Sequence, residues 1–162
     1  MDIKELKPTS IWHYFDAITG VPRPSKKEER IREFLLNFAK EQNLEVKVDK
    51  TGNVVITKEA TPGCEGAPTV ILQAHMDMVC EKNGDVKHDF ERDPIETYID
   101  GEWVKARGTT LGADNGIGMA AAMAVLVDKE LKHGRIQALF TVDEETGLTG
   151  AFGLESGMIA GK

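Results

Sequence analysis

The stretch Leu72-Gln73-Ala74-His75-Met76-Asp77-Met78-Val79, "LQAHMDMV", decides the fold. An apolar, β-prone run from Thr69 to Ala74 arrives at a histidine, and an aspartate follows two residues later. A run this short, preceded by the polar loop 59–68 (EATPGCEGAP), reads as a buried strand. If extended geometry continues past Ala74, His75 and Asp77 point to one face and Met76 and Met78 to the other. The plain reading is a solvated strand end. The sharper reading is a metal site.

Working outward, Ile136 to Val142 is a second buried strand, and it too ends in acids: Asp143-Glu144-Glu145-Thr146-Gly147. Between the two lies 107–118 (RGTTLGADNGIG), a glycine-rich loop. It opens an all-round apolar, hence buried, helix over Ile117–Val127. Upstream, Ser10 starts a short helix to Ile18, with Ile11, Phe15 and Ile18 on one face. Pro22 and Pro24 break it. Ser25-Lys26-Lys27-Glu28 fits a capping box, and Ile31, Phe34, Leu35 and Phe38 continue an amphipathic helix over 26–41. Short strands follow near 44–49 and 53–58 around a Thr51-Gly52-Asn53 turn. Residues 80–94 are polar and irregular, Tyr98 to Val104 is a hairpin on Asp100-Gly101, and the tail holds one short helix. Strands alternating with helices give a layered α/β fold, in which ligands gather at the carboxyl ends of strands.

Composition narrows the function. A chain of 162 residues is enough for one cored domain, and a net charge of −7 argues against phosphate-backbone binding, so no nucleic acid is expected. No apolar run approaches the roughly 20 residues of a membrane helix, and MDIKELKPTS has no signal-peptide core. No membrane partner is expected, and the reading is cytoplasmic. Cys64 and Cys80 form no CxxC pair and read as reduced thiols, Cys80 as a packing residue.

Each candidate residue has a bland alternative. Asp114, in Gly112-Ala113-Asp114-Asn115-Gly116, has small neighbours that leave room for a carboxylate bridging two cations; equally, Asp114 or Asn115 could cap the next helix. Glu144-Glu145 sets two like charges side by side, which repel unless a cation intervenes; equally, it is an acidic turn. The conjunction tips the balance. One histidine and several carboxylates at strand ends and a glycine loop suit Zn²⁺, Mn²⁺ or Co²⁺ and metal-assisted hydrolysis. Competing signatures are missing: there is no HExxH, GxSxG or GxGxxG, and Gly157–Lys162 only imitates a phosphate loop. His13, His88 and His133 sit in helical or polar contexts and read as structural or solvated.

Taken together, "LQAHMDMV", "DPIETYIDGEWVKARGTTLGADNGIGMA" and "TVDEETGLTGAFGL" resemble the M20 metallopeptidases, in particular the aminoacyl-histidine (Xaa-His) dipeptidase, or peptidase D, branch. The likeness runs over essentially the whole chain, and the middle motif is the specific one. It implies an α/β/α zinc-peptidase-like catalytic domain with a central mixed sheet. It implies that His75 ligates one zinc, Glu145 the other, and Asp114 bridges both. It implies that Asp77 orients the site without ligating, that Glu144 is the general base, and that the Asp114–Asn115 peptide is cis. Zinc would be the metal, with manganese or cobalt as substitutes, and short peptides, Xaa-His dipeptides among them, the substrates. Two further ligands, an Asp and a C-terminal His, belong to parts of the family pattern beyond Lys162. Residues 1–162 are therefore expected to be the N-terminal portion of the catalytic domain, without the lid or dimerisation domain. That portion is expected to be inactive alone and prone to homo-oligomerise. Two alternatives stand beside this reading: a non-catalytic oligomerising scaffold, and another M20 hydrolase such as an amino-acid deacylase, which the middle motif disfavours.

Overall fold

Helical spacing of Ile31, Leu35 and Phe38 puts them on one face, and α2 (Glu29–Glu41) buries all three with Ala39. The computed structural model, which describes residues 2–160, starts this helix later than its sequence suggests. The capping box does not form. Ser25 Oγ donates to Asp77 Oδ2 at 2.7 Å, and Glu28 Oε1 accepts from Lys26 N at 2.9 Å instead of from Ser25. Competition explains the change: a hydrogen bond to a buried carboxylate is roughly twice as strong as one between neutral groups. Helix α1 (Thr9–Thr19) likewise takes Pro8, not Ser10, as its N-cap, and buries Phe15 and Ile18 while Ile11 is half-buried.

Strands β1 (Glu45–Val48) and β2 (Val54–Lys58) pair antiparallel across a turn in which Gly52 takes φ 102°, a left-handed value that glycine adopts without penalty. Strand β3 (Val70–His75) comes next in sequence. The small hairpin β4 (Thr97–Asp100) and β5 (Trp103–Ala106) turns at Asp100-Gly101 and forms a separate sheet. Helix α3 (Ala113–Val127) packs on α1 and β3, and β6 (Ile136–Thr141) completes the main sheet. Its order is β1-β2-β6-β3, with β2 antiparallel and β3 parallel to β6, so the sheet is mixed as expected.

Helices α1 to α3 cover one face, where Phe15, Ile18, Leu35, Met119, Met123 and Phe140 form the core. Burying a side chain such as Phe140, at 0% exposure, contributes about 1.5–3 kcal/mol. The other face carries a thin layer: Val55 and Leu139 pack against Met158, Leu154 and Ile159, beside the short helix α4 (Thr149–Phe152). Strand β3 departs from the sequence reading. It is not buried throughout but is an edge strand, with Val70 at 51% exposure and only Ala74 and His75 enclosed. Among the described residues no strand pairs with its outer side, so the shelter it receives comes from α3 and β6. The last two residues of the phosphate-loop look-alike, Gly161 and Lys162, lie outside the described residues.

Candidate functional site

Parallel pairing of β3 with β6 sets His75 opposite Thr141, so the two strands end side by side. Helix α3 brings its first turn to the same edge. The helix opens at Gly112 and is kinked at once: Asp114 and Asn115 both have non-helical backbone angles, so the regular helix begins after them. The Asp114–Asn115 peptide is cis, as the family likeness implies. Asp114 Oδ1 lies 3.0 Å from His75 Nε2, and Glu144 Oε2 lies 3.8 Å from the same nitrogen. Ligand-type atoms of His75, Asp114 and Glu145 fall within 4.8 Å of one another. Three segments distant in sequence thus deliver one imidazole and two carboxylates to one point. The donor set, one nitrogen and several oxygens, fits a divalent cation of borderline softness. An open cleft of about 460 Å³ adjoins it, lined by Gln73, Asn115, Glu144 and Leu148 among others, a size suited to a small ligand.

Asp77 is the hub behind these groups. It is fully buried, and both its oxygens are engaged: Oδ1 accepts from Glu144 N at 3.0 Å, and Oδ2 accepts from Glu145 N at 3.2 Å and from Ser25 Oγ. The carboxylate therefore pins the backbone of the Glu144-Glu145 turn. His75 Nδ1 faces Asp77 twice, at 3.1 Å from its carbonyl oxygen and 3.3 Å from Oδ1. Strand geometry stops at His75, so it is this hydrogen bonding, not strict alternation, that brings the Asp77 side chain round.

The charges respond to that packing. Burial disfavours a charged His75, but hydrogen bonds to Asp77 and Asp114 outweigh it and raise its pKa to about 9. A proton on Nε2 there plays the part that a cation would take over. Burial also works against the Asp77 charge, and is overcome by His75, Ser25 and the two backbone N–H groups, so its pKa falls well below the carboxylate range. Glu145 shifts upward, through partial burial first and then repulsion from Glu144 and Asp114, with His75 opposing.

Glu28, Asp143 and Arg23 also shape the site, though the sequence did not mark them as site residues. Glu28, Asp77 and Asp143 form a second acidic cluster, fully enclosed. Most of its oxygens are taken up by donors: Glu28 Oε1 accepts from Lys26 N and Asp143 N, while Thr146 and Thr149 hydroxyls donate to the two Asp143 oxygens at 2.6 Å each. It shapes the turn rather than offering a cation site. Asp143 takes φ 47°, a left-handed conformation those hydrogen bonds hold, which turns Glu144 and Glu145 towards His75. Arg23 is 1% exposed and donates to the carbonyls of Met76, Asp77 and Gly112.

Comparison with known proteins follows the same lines. The chain is 53% identical over 154 residues to the cytosol non-specific dipeptidase of Escherichia coli (strain K12), covering 95% of this chain and 32% of that protein. Its fold superposes with a TM-score of 0.97 on the crystal structure of aminoacylhistidine dipeptidase from Vibrio alginolyticus, at 56% identity over 99% of this chain and 33% of that one. A tripeptidase from Staphylococcus aureus matches with a TM-score of 0.79 at 27% identity, over 96% of this chain and 42% of that one. The chain thus spans about a third of the length of the two dipeptidases. The sequence pattern of peptidase family M20/M25/M40 matches residues 71–161, more than half of the chain and all of the segment that carries the clustered acids and histidine, and the chain belongs to that family.

Proposed function

We propose that this chain supplies the general base and three metal ligands of a dipeptidase that hydrolyses short peptides, Xaa-His among them. The observation that carries the reading is the convergence of His75, Asp114 and Glu145 with Glu144 beside them. His75 would hold one cation through Nε2, Glu145 the other, and Asp114, with one oxygen near His75 and an 85% exposed side chain, would bridge the pair. Zinc is the metal we assign, with manganese and cobalt as substitutes. Bound there, such ions polarise a scissile carbonyl and make water acidic enough to ionise near neutrality.

The chain's own residues do the rest. Glu144 would take a proton from the attacking water and return it to the leaving amine. Its backbone N–H is held by Asp77, so the base is oriented from behind. Asp77 works through its neighbours: its oxygens are saturated, and it fixes the His75 ring and the acidic turn. The reading extends to the cytosol, in keeping with the E. coli relative's name and with the lack, among the described residues, of a helix long and apolar enough to cross a membrane. It also extends to self-association, through the open edge of β3.

The test has two parts. Equilibrium dialysis of this chain against Zn²⁺ should show uptake that His75→Ala abolishes and Glu144→Gln preserves. In a full-length dipeptidase carrying this chain, Glu144→Gln should keep the metal and lose at least about 10²-fold in kcat, the usual scale for a lost general base. Turnover that survives Glu144→Gln removes Glu144 from the role of base. Absence of zinc uptake by the wild-type chain favours the scaffold alternative.

A further inference from the structure

A buried arginine ordinarily meets a carboxylate, because an uncompensated cation in the interior is costly. Arg23 makes no salt bridge among the described residues and instead spends its guanidinium on three backbone carbonyls. Nη1 donates to Met76 O and Asp77 O at 3.1 Å each, and Nη2 donates to Gly112 O at 2.5 Å. Nε has no partner. Two of those carbonyls belong to the segment just after β3, and the third opens the loop that carries Asp114. The same residue grips the first segment through its main chain: Met78 N donates to Arg23 O, and Pro24 bridges to Met78.

The Asp77 carbonyl is the telling contact. It receives Arg23 Nη1 on one side and faces His75 Nδ1 on the other. A carbonyl beside Nδ1 keeps the proton there and leaves Nε2 for a ligand. Arg23 therefore fixes the group that fixes the histidine. Its other arm holds Gly112, whose carbonyl also accepts from Gly116 N at 3.1 Å. The glycine spacing fits this guanidinium. A Cβ at Gly112 would meet Nη2 at 2.5 Å, and one at Gly116 would meet it at 2.8 Å. Only side-chain-free positions leave the planar fork its seat.

We propose that Arg23 is a positioning residue, a brace that holds the His75–Asp77 segment against the Gly112–Asp114 loop so that the ligands of the two converge. This rests on the metal reading above. A lysine cannot do the same work. Its single ammonium lacks the fixed fork that spans carbonyls on both segments at once.

The experiment uses Arg23→Lys and Gly116→Ala in this chain, with Co²⁺ as the probe. Gly116→Ala crowds the guanidinium while keeping its charge, and Gly116 has no left-handed φ to strain. Its Cβ also comes within 3.2 Å of Phe15 Cε2, so it serves if Arg23→Lys fails to fold once circular dichroism and unchanged exchange at Phe15 show the core intact. Circular dichroism checks folding, hydrogen exchange follows amides at 76–79 and 110–116, and cobalt absorption reports ligand geometry. We expect folded variants, faster exchange confined to those two segments, an altered cobalt band, and Co²⁺ affinity lower by about 10- to 100-fold, the usual cost of losing such a supporting partner. Wild-type affinity and band in both variants overturn the proposal. So does exchange that rises evenly across the sheet with the cobalt spectrum unchanged, since that marks a merely structural strut. A wild-type chain that takes up no Co²⁺ overturns the metal reading instead, and local exchange alone then decides whether Arg23 braces the two segments.

Discussion

Asp77→Asn is the sharpest single perturbation of the site. The asparagine keeps the size of the aspartate and one acceptor oxygen. Placed at the Oδ1 position, that oxygen still accepts from Glu144 N, but the new NH₂ then faces Glu145 N–H, donor against donor. Flipped, it serves Glu145 and Ser25 but sets the NH₂ against Glu144 N–H and beside His75 Nδ1. Either way one backbone N–H in the acidic turn loses a charged acceptor. A hydrogen bond to a charged group contributes about 1.5–3 kcal/mol, and an abandoned buried donor costs about 1–3 kcal/mol. Ser25 Oγ can turn to accept from the new amide and recover part of the loss. We expect a net destabilisation of about 2–3 kcal/mol in the metal-free chain. With urea m-values of about 1–3 kcal/mol per molar for small domains, the midpoint should fall by roughly 1 M. Equilibrium urea unfolding with chelator present, followed by tryptophan fluorescence, measures it. A midpoint within about 0.2 M of wild type, which that m-value range makes a change well under 1 kcal/mol, refutes the argument that Asp77 holds the turn.

Three further outcomes follow from other contacts. Glu28 has its pKa raised, chiefly by burial and also by Asp77, against three backbone hydrogen bonds. A group raised on folding adds stability below its unfolded pKa and gives it up as pH climbs through the folded value. Glu28→Gln should therefore show a higher urea midpoint than wild type at pH 7, with the gap closing on acidification; a constant gap contradicts the charge argument. Asn53, at 0% exposure, accepts from Val142 N and donates to Asp49 and Gly150 O, so Asn53→Ala should cost about 3 kcal/mol or more by leaving two backbone groups unpaired, read as a drop in thermal midpoint. Finally, light scattering at increasing concentration should show oligomers formed through the β3 edge, and Val70→Lys, which charges that edge, should reduce them; a monomer at every concentration contradicts self-association.

Much of this was legible in the sequence because it was written in local patterns. Ile31, Leu35 and Phe38 announced α2, the all-apolar run announced α3, and the strand-then-acid arrangement at His75 and at Glu144 marked one sheet edge. The parts that were not legible depend on partners far along the chain. Ser25 reads as a helix cap until Asp77 is placed beside it. The run leading to His75 reads as buried until its outer neighbour is known. Arg23 carries no periodic signal, since it is defined by the carbonyls it binds across the fold, and Asp143 is held by Glu28 across the fold as well as by Thr146 and Thr149 nearby.

The parallel pairing of β3 with β6 also has a kinetic side. Val70 meets Ile136 and His75 meets Thr141 only after the hairpin, the glycine loop and α3 have been threaded between them. Such a non-local contact forms late, because the intervening chain must be closed before it is rewarded. The convergence of His75, Asp114 and Glu145 is thus a property of the finished sheet and of no part of it. Any event that frees β3 from β6 dissolves the cluster in one step, so loss of a bound ion would report the opening of that one seam before the rest of the molecule unravels.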